Sequence, residues 1–152
     1  MLRLPRGSAR PLIGPFKAAR LVGVRMPRPS ALVAEDSHLG SWAISHALQR
    51  VGFDVLRAAT WVEATGYLSK QSFRVLVLSA SLGPSGVVAM VAYMAAHHGE
   101  TAVIVLADAD DVRGLERECA SRAIIVSKPL DLDRLVQMAS DYLGDQPVAL
   151  RA

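Results

Sequence analysis

The feature that most constrains the fold is a regular alternation between short apolar runs and segments with helical spacing. Three runs contain only aliphatic residues, at positions 31–34, 75–78 and 102–106. Runs of this length and composition are typical of buried parallel strands. A weaker run at 55–58 and a last one at 123–126 complete a set of five predicted strands.

Apolar residues recur at intervals of three and four between these runs, which predicts helices. Three of the predicted helices cover 38–51, 86–97 and 110–119. Another begins at Thr60, which forms a capping-box pattern with Glu63. The last is introduced by Pro129 and Asp131 and runs through position 143. Leu39 and Trp42 belong to the apolar spacing of the first helix. Five strands alternating with five helices through short connections predict a doubly wound (βα)5 α/β fold, a five-stranded parallel sheet with helices on both faces.

The basic character of the chain belongs to its first residues. Positions 1–25 hold six basic residues and no acidic one, whereas the remainder has eleven basic and fourteen acidic residues, a net charge of −3. Prolines recur through positions 1–29 and would break a long helix. We therefore expect a disordered basic arm over 1–29, a folded domain over 30–143 and a short tail over 144–152. A further hypothesis is that translation begins at Met26.

The bulk composition excludes several classes of protein. The lone Cys119 cannot form an internal disulfide and fits a reducing compartment. No apolar run approaches the roughly 18 residues of a membrane span. Because the excess of positive charge lies in the arm, nucleic-acid binding by the folded part has little support. We expect a cytoplasmic protein that contacts neither nucleic acid nor membrane.

Residues that directly follow the predicted strands are the candidates for function, because ligands of doubly wound folds bind at the carboxyl ends of the strands. Glu35 and Asp36 follow the first run, Ser79 the third, Ala107 the fourth and Lys128 the fifth. They lie in four segments, ALVAEDS, VLVLSASLGPSG, AVIVLAD and IIVSKPLDLDRL. In order and spacing these segments resemble the flavodoxin-like receiver (CheY-like) domain of two-component response regulators, over roughly residues 30–143.

The resemblance implies a role for each position. In the family an acidic pair binds Mg²⁺, and Glu35 and Asp36 match it. An aspartate that ends the third strand accepts phosphate from a histidine kinase, and Ser79 stands in its place. A lysine followed by proline contacts the phosphoryl group, matched by Lys128 and Pro129.

Two further positions depart from the family. A Thr or Ser ending the fourth strand is replaced by Ala107, and an aromatic switch residue in the fifth strand is replaced by Ile125. A serine hydroxyl is a poor nucleophile without an adjacent base. Losing the aspartate also removes a metal ligand, so two carboxylates should bind Mg²⁺ weakly at most. We therefore expect a pseudo-receiver that is not phosphorylated at this site, in which Lys128 forms an ion pair with Asp36 or Glu35.

The third helix is unusual because it contains no Asp, Glu, Lys or Arg. Its buried side is expected to hold Val87, Met90, Tyr93 and Met94. A second apolar stripe, expected at the surface, is formed by Val88, Val91, Ala92 and Ala95. Such a stripe indicates homodimerisation or docking of a partner. The alternative is that small residues simply lie at the surface there.

These observations predict a stand-alone bacterial receiver-like domain, without an output domain, that is not an enzyme. It would act through contacts with proteins of a two-component pathway or with a second copy of itself. Two alternatives stay open. One is a flavodoxin-like protein that binds a small ligand or an anion in the 79–85 loop, and the other is a receiver switched by modification of Ser79.

Overall fold

One parallel sheet organises residues 28–143, the part of the chain that the computed structural model describes. Its strands are β1 (Ser30–Ala34), β2 (Asp54–Ala58), β3 (Val75–Ser79), β4 (Ala102–Ala107) and β5 (Ile124–Ser127). The order across the sheet is β2-β1-β3-β4-β5, and every neighbouring pair is parallel. All five predicted strands are confirmed, with ends that differ by one residue at most.

Within residues 28–143, five helices connect and follow the strands. They are α1 (His38–Arg50), α2 (Trp61–Leu68), α3 (Pro84–His97), α4 (Ala109–Cys119) and α5 (Leu132–Ser140), with short 3-10 turns at Ala80–Leu82 and Ala120–Arg122. Helix α3 begins two residues earlier than predicted, because proline fits the first turn of a helix, where its missing N–H is not needed. Helix α5 ends at Ser140, three residues before the predicted end.

The helices divide between the two faces of the sheet, as predicted. Helices α1 and α5 cover one face, where Ile44, Leu48 and Leu135 pack on Val33 and Val77. Helices α2, α3 and α4 cover the other face, where the core includes the free thiol of Cys119. Burial raises the pKa of that thiol. The alternating side chains of the buried strands supply both cores.

Side chains at the helix starts fix where the helices begin. Ser37 Oγ accepts a hydrogen bond from Gly40 N at 3.1 Å and caps α1. At the start of α2, Thr60 Oγ1 accepts from Glu63 N, and Glu63 Oε1 accepts from Ala59 N at 2.7 Å. The predicted capping box is therefore present, with its return bond made to the residue before the cap.

Two residues of the apolar spacing that predicted α1 lie outside its buried face. Leu39 is 74% exposed and Trp42 is 54% exposed. The buried side of α1 instead holds Ser41, Ile44, Ser45 and Leu48. These four positions have the i, i+3, i+4, i+7 spacing of one helix face. Because two of them are serines, the pattern of apolar residues did not mark the face that packs on the sheet.

The predicted surface stripe of α3 is also corrected. Val91 is 1% exposed, and Val88 is half-buried and packs against the core between α3 and its neighbours. Ala92 and Ala95 are exposed as predicted, whereas Tyr93, placed on the buried side, is 39% exposed. The buried face is formed by Val87, Met90, Val91 and Met94. In a helix that is apolar all round, periodicity alone does not identify the face that meets the sheet and α4.

Arg28 and Pro29, the last two residues of the predicted arm, contact the turn before β2 and the start of β2. Arg28 Nε donates to Gly52 O at 3.1 Å and lies 3.7 Å from Asp54 Oδ1, and Pro29 O accepts from Asp54 N. The rest of the predicted arm, positions 1–27, and the predicted tail, 144–152, lie outside the described residues. Among the described helices, none has the length and apolar character needed to cross a membrane.

Candidate functional site

The carboxyl ends of β1, β3 and β5 bring the predicted site residues together. Ser79 ends β3 and is completely buried, and Glu35, directly after β1, is 6% exposed. Asp36 is exposed and Lys128 is half-buried. Since β3 lies beside β1 in the sheet and Lys128 N is bonded to Ala107 O at the end of β4, the strand order places these residues around one end of β3.

A continuous chain of hydrogen bonds joins the lysine to the acids through two hydroxyls. Lys128 Nζ donates to Ser79 Oγ at 3.0 Å, and Ser79 Oγ lies 2.7 Å from Ser81 Oγ. Ser81 Oγ approaches Asp36 Oδ1 at 2.5 Å and Glu35 Oε2 at 3.3 Å. Carboxylates only accept, so the Ser81 proton goes to the acids and the Ser79 proton must go to Ser81. The chain therefore has one direction, from ammonium to carboxylate.

Ser81 is the residue that the sequence analysis missed. It lies in the 3-10 turn after β3, and its backbone N donates to Ser79 Oγ at 3.3 Å. A serine two residues after a buried strand-end serine is the signal that could have indicated it. On its own this signal is weak, because serine is common in turns for local reasons.

The predicted ion pair of Lys128 with Asp36 or Glu35 is wrong for the described residues, where Lys128 instead donates to Ser79. The pKa of Asp36 is lowered, first by the hydrogen bond from Ser81 and then by a hydrogen bond with the Glu35 carboxyl. The charge of Lys128 is the smallest of the causes. The serine bridge, rather than direct contact, thus connects the two charges.

The other predicted positions lie around this chain. Ala107 is fully buried at the end of β4, and Pro129 is exposed after a cis peptide bond with Lys128. Ile125 is half-buried on β5 and packs against the core under α2, α3 and α4. Val88, Val91, Ala92 and Ala95 lie on α3 and contribute nothing to the hydrogen-bonded chain.

The donor set does not fit the Mg²⁺ ion that the resemblance implies. Within residues 28–143, no three His, Cys, Asp or Glu side chains cluster in a way that could hold a metal ion. The Ser81 hydroxyl already occupies one oxygen of each acid, and the Lys128 ammonium lies 3.0 Å from Ser79 Oγ. A cation beside this ammonium would be repelled, which disfavours Mg²⁺ at this site.

A cleft of about 410 Å³ opens between α1 and the connection from β5 to α5. Its polar end is formed by Glu35, Asp36, Ser81 and Lys128. Its other walls are mainly apolar: Ala43, Ile44, Leu106, Pro129, Leu130 and Leu132. The hydroxyls of Ser79 and Ser81 in the 79–85 loop are bonded to each other and to the carboxylate of Asp36, which disfavours the alternative of an anion site there.

The loop after β3 is held by Trp61 at the start of α2. Its indole Nε1 donates to Leu82 O at 2.9 Å. The same ring lies over Gly86, where an added Cβ would clash with Trp61 Nε1. The absence of a side chain at Gly86 therefore lets Trp61 reach the loop that carries Ser81.

The sequence matches no protein-family model and no curated protein. Its fold, however, matches many solved structures. A response regulator from Thermotoga maritima is 20% identical, with a TM-score of 0.65 over 77% of this chain and 98% of its own. The signal receiver domain of an HD domain-containing protein from Pseudomonas fluorescens Pf-5 is 17% identical, with a TM-score of 0.67 over 77% of this chain and 95% of its own.

A third neighbour contains a modified residue. It is a response regulator protein from Burkholderia pseudomallei with a phosphorylated aspartic acid, a calcium ion and citrate. It is 17% identical to this chain, with a TM-score of 0.60 over 77% of this chain and 67% of its own. Strand order, helix placement and these comparisons agree: the chain has the CheY-like, flavodoxin-type fold of response regulator receiver domains.

Proposed function

We propose that this protein is an atypical receiver-type domain of phosphorelay signalling, that it is not phosphorylated at Ser79, and that it acts by binding other proteins rather than as an enzyme. Three observations support the proposal: the receiver fold, the strand-end position of Ser79, and the hydrogen bonds that occupy its hydroxyl. The last of these carries the argument. A neighbour of the same fold holds its phosphate on an aspartic acid, and this chain has a serine at the end of β3.

Ser79 is poorly suited to attack a phosphorus atom. Its side chain is completely buried, and its Oγ is enclosed by the Lys128 ammonium and the Ser81 hydroxyl. A proton that leaves Ser79 would have to pass through Ser81 to Asp36. A carboxylate with a lowered pKa is a weak base near neutral pH, so this relay activates the hydroxyl little.

The charged groups of the site already have hydrogen-bond partners without phosphate. Lys128 has an acceptor in Ser79, and Asp36 has a donor in Ser81. A phosphoryl group on Ser79 would have to displace both bonds and would stand beside two carboxylates. The protein is therefore expected to hold one state at this site, and its signalling role would follow from its presence and its protein contacts.

Intact-mass measurement after incubation with acetyl phosphate and Mg²⁺ tests the proposal. We expect no mass increase for the natural protein, while a receiver with an aspartate at this position gains one phosphoryl group in the same mixture. The variant Ser79→Asp is the matched comparison, since it supplies an anionic oxygen next to Lys128, and we expect it to gain a phosphoryl group that is released by acid or hydroxylamine.

The result that contradicts the proposal is an acid-stable phosphoryl group on Ser79 of the natural protein. That outcome would favour the second candidate, a domain switched by modification of the serine. A modification mapped to another residue would leave Ser79 unreactive but would require a different input site.

A further inference from the structure

Ser45 carries a buried hydroxyl group that forms no hydrogen bond. It lies on the sheet-facing side of α1 and is 5% exposed. Within residues 28–143, its Oγ has no hydrogen-bond partner. A serine inside a helix commonly donates to the carbonyl four residues earlier, as Ser140 Oγ does to Val136 O at 2.7 Å. A buried polar group without a partner is destabilising, so a ligand that supplies the partner would be favoured there.

A cavity of about 260 Å³ lies between α1 and the edge strand β2, and Ser45 is part of its wall. Val55 and Arg57 line it from β2, and both point towards α1 because alternate residues of a strand lie on the same face. Rotation of Ser45 about its Cα–Cβ bond can turn the hydroxyl towards a molecule in this cavity. The volume is just below the range of roughly 300–1,000 Å³ found for ligand pockets, so the occupant must be small.

The charge on the wall of this cavity is positive. Arg57 is exposed and forms no ion pair within the described residues, and the residues that line the cavity include no acid. Glu35, Asp36 and Glu63 share a neighbouring cavity with Arg57, but each of them accepts a hydrogen bond from another residue. A guanidinium presents a planar fork of N–H donors that matches a carboxylate. The wall therefore favours a carboxylate over a cation.

A flat aromatic surface forms another wall of the cavity. The rings of Trp42 and His46 are stacked, with centroids 5.2 Å apart and planes 6° from parallel, and both residues line the cavity. Trp42 is 54% exposed, so a large part of this surface is open to contact. Aromatic rings pack favourably on one another in offset or tilted arrangements. The apolar part of an occupant is thus best supplied by a flat ring.

We propose that this cavity binds a small aromatic carboxylate. The carboxylate contacts the Arg57 guanidinium and accepts a hydrogen bond from Ser45 Oγ, and the ring packs on Trp42. The inference goes beyond the signalling role above and does not rest on it, because the cavity shares no residue with the hydrogen-bonded chain around Ser79. Either proposal can fail without the other.

Titration of the full chain with benzoate, followed by ¹H–¹⁵N NMR, tests the proposal. We expect saturable shifts of the Trp42 indole N–H and of the Ser45 and Val55 amides. The indole of Trp61, which donates to Leu82 O, should not shift. Benzamide has the same shape without the charge and should bind about tenfold more weakly. Acetate has the charge without the ring and should also bind at least about tenfold more weakly.

An arginine variant locates the charge that holds the carboxylate. Arg57→Gln changes an exposed side chain and should weaken benzoate binding about tenfold, because a charge-assisted hydrogen bond is lost. Arg117→Gln is the matched control, since Arg117 is an exposed arginine of α4, which covers the opposite face of the sheet. Its affinity for benzoate should equal that of the natural protein.

A second variant separates ligand contact from a structural role of the hydroxyl. Because Ser45 Oγ has no partner within the described residues, Ser45→Ala should leave the free energy of unfolding unchanged or raise it, as measured by urea unfolding. The same variant should weaken benzoate binding about tenfold, since the hydrogen bond to the carboxylate is lost. A hydroxyl with a purely structural role would give the opposite pattern.

Several results would overturn the proposal. They are equal affinity for benzoate and either benzamide or acetate, unchanged benzoate affinity in Arg57→Gln or in Ser45→Ala, or no saturable shift of the Trp42 indole. A clear loss of stability in Ser45→Ala would also contradict it, because the hydroxyl would then have a partner inside the protein.

Discussion

Ser81 connects the polar side chains at the strand ends into one hydrogen-bonded group. Without it, Lys128 and Ser79 at one side and Glu35 and Asp36 at the other would be two separate polar groups. Its hydroxyl lies between them and donates to the acids, and it accepts from Ser79. Hydrogen bonds to an ionised group are stronger than bonds between neutral groups, so the contacts with Lys128 and Asp36 at the two ends of this chain are stronger than the bond between the two hydroxyls.

Ser81→Ala should raise the pKa of Asp36 towards its ordinary value, because the hydrogen bond from Ser81 is the largest cause of the lowered pKa. The sign follows from linkage. A lowered pKa in the folded state means that ionised Asp36 stabilises the fold at neutral pH, and this contribution is lost as pH falls through the lowered pKa. Titration of the carboxyl carbons by NMR measures the midpoint.

Ser85→Ala is the control for this measurement, since Ser85 is exposed in the first turn of α3 and does not contact Asp36. It should leave the midpoint unchanged. An unchanged midpoint in Ser81→Ala as well would show that Ser81 does not donate to Asp36 in solution, and the directed chain from Lys128 would then be wrong.

At the scale of the elements, the connection from β3 to α3 is shaped by α2. Trp61, the first residue of α2, bonds to Leu82 O and covers Gly86. Trp61 of α2 thereby holds the loop that carries Ser81 in place. A substitution in α2 or at Gly86 should consequently alter the position of Ser81 in the site.

Gly86→Ala should destabilise the protein by roughly 1–3 kcal/mol, the range found for overpacked sites, because the new methyl group meets the bonded indole of Trp61. Gly66→Ala is the matched variant. Gly66 also lies inside a helix, but nothing approaches its Cβ position within 4 Å, so alanine should stabilise by about 0.5–1 kcal/mol. Urea unfolding measures both changes, provided that the slope of the unfolding free energy against urea concentration is the same for all variants.

The decisive outcome is that Gly86→Ala lowers the free energy of unfolding while Gly66→Ala raises it. If Gly86→Ala is as stable as Gly66→Ala, Trp61 can move aside at no cost, and its bond to Leu82 does not hold the loop. In that case the orientation of Ser81 must come from its own hydrogen bonds alone.

At the scale of the whole molecule, α3 closes the core between the sheet and α4 rather than presenting an apolar stripe. Val91 belongs to that core together with Leu115 of α4. What remains exposed of the predicted stripe is Ala92 and Ala95, two small side chains. Apart from Tyr93 on α3, the larger exposed apolar residues lie on other elements: Leu39 and Trp42 on α1, Val62 on α2 and Ile124 on β5.

Val91→Glu should lower the free energy of unfolding by more than about 3 kcal/mol, since it places an unpaired charge in the core. Ala92→Glu, one residue further along the same helix, should change it by less than about 0.5 kcal/mol. Urea unfolding compares the two, and sedimentation shows whether Ala92→Glu alters the mass in solution. A lower mass for a stable Ala92→Glu variant would restore the idea of self-association through α3.

The sequence alone determined the strands and the positions of Glu35, Ser79 and Lys128, because short aliphatic runs form buried strands and parallel strands bring their carboxyl ends to one edge. It also determined that the end of β3 carries a hydroxyl in place of a carboxylate. These properties are local, each contained in a few consecutive residues. They sufficed for the fold and for the location of the site.

Only the tertiary structure decided which groups meet there. Lys128 and Ser81 are 47 positions apart in the chain, and which of them contacts Asp36 depends on the loop that Trp61 holds. Likewise, Leu39 is exposed and Val91 buried because each helix is rotated to fit its neighbours. Such choices arise from packing between elements distant in sequence, and no periodicity within one element encodes them.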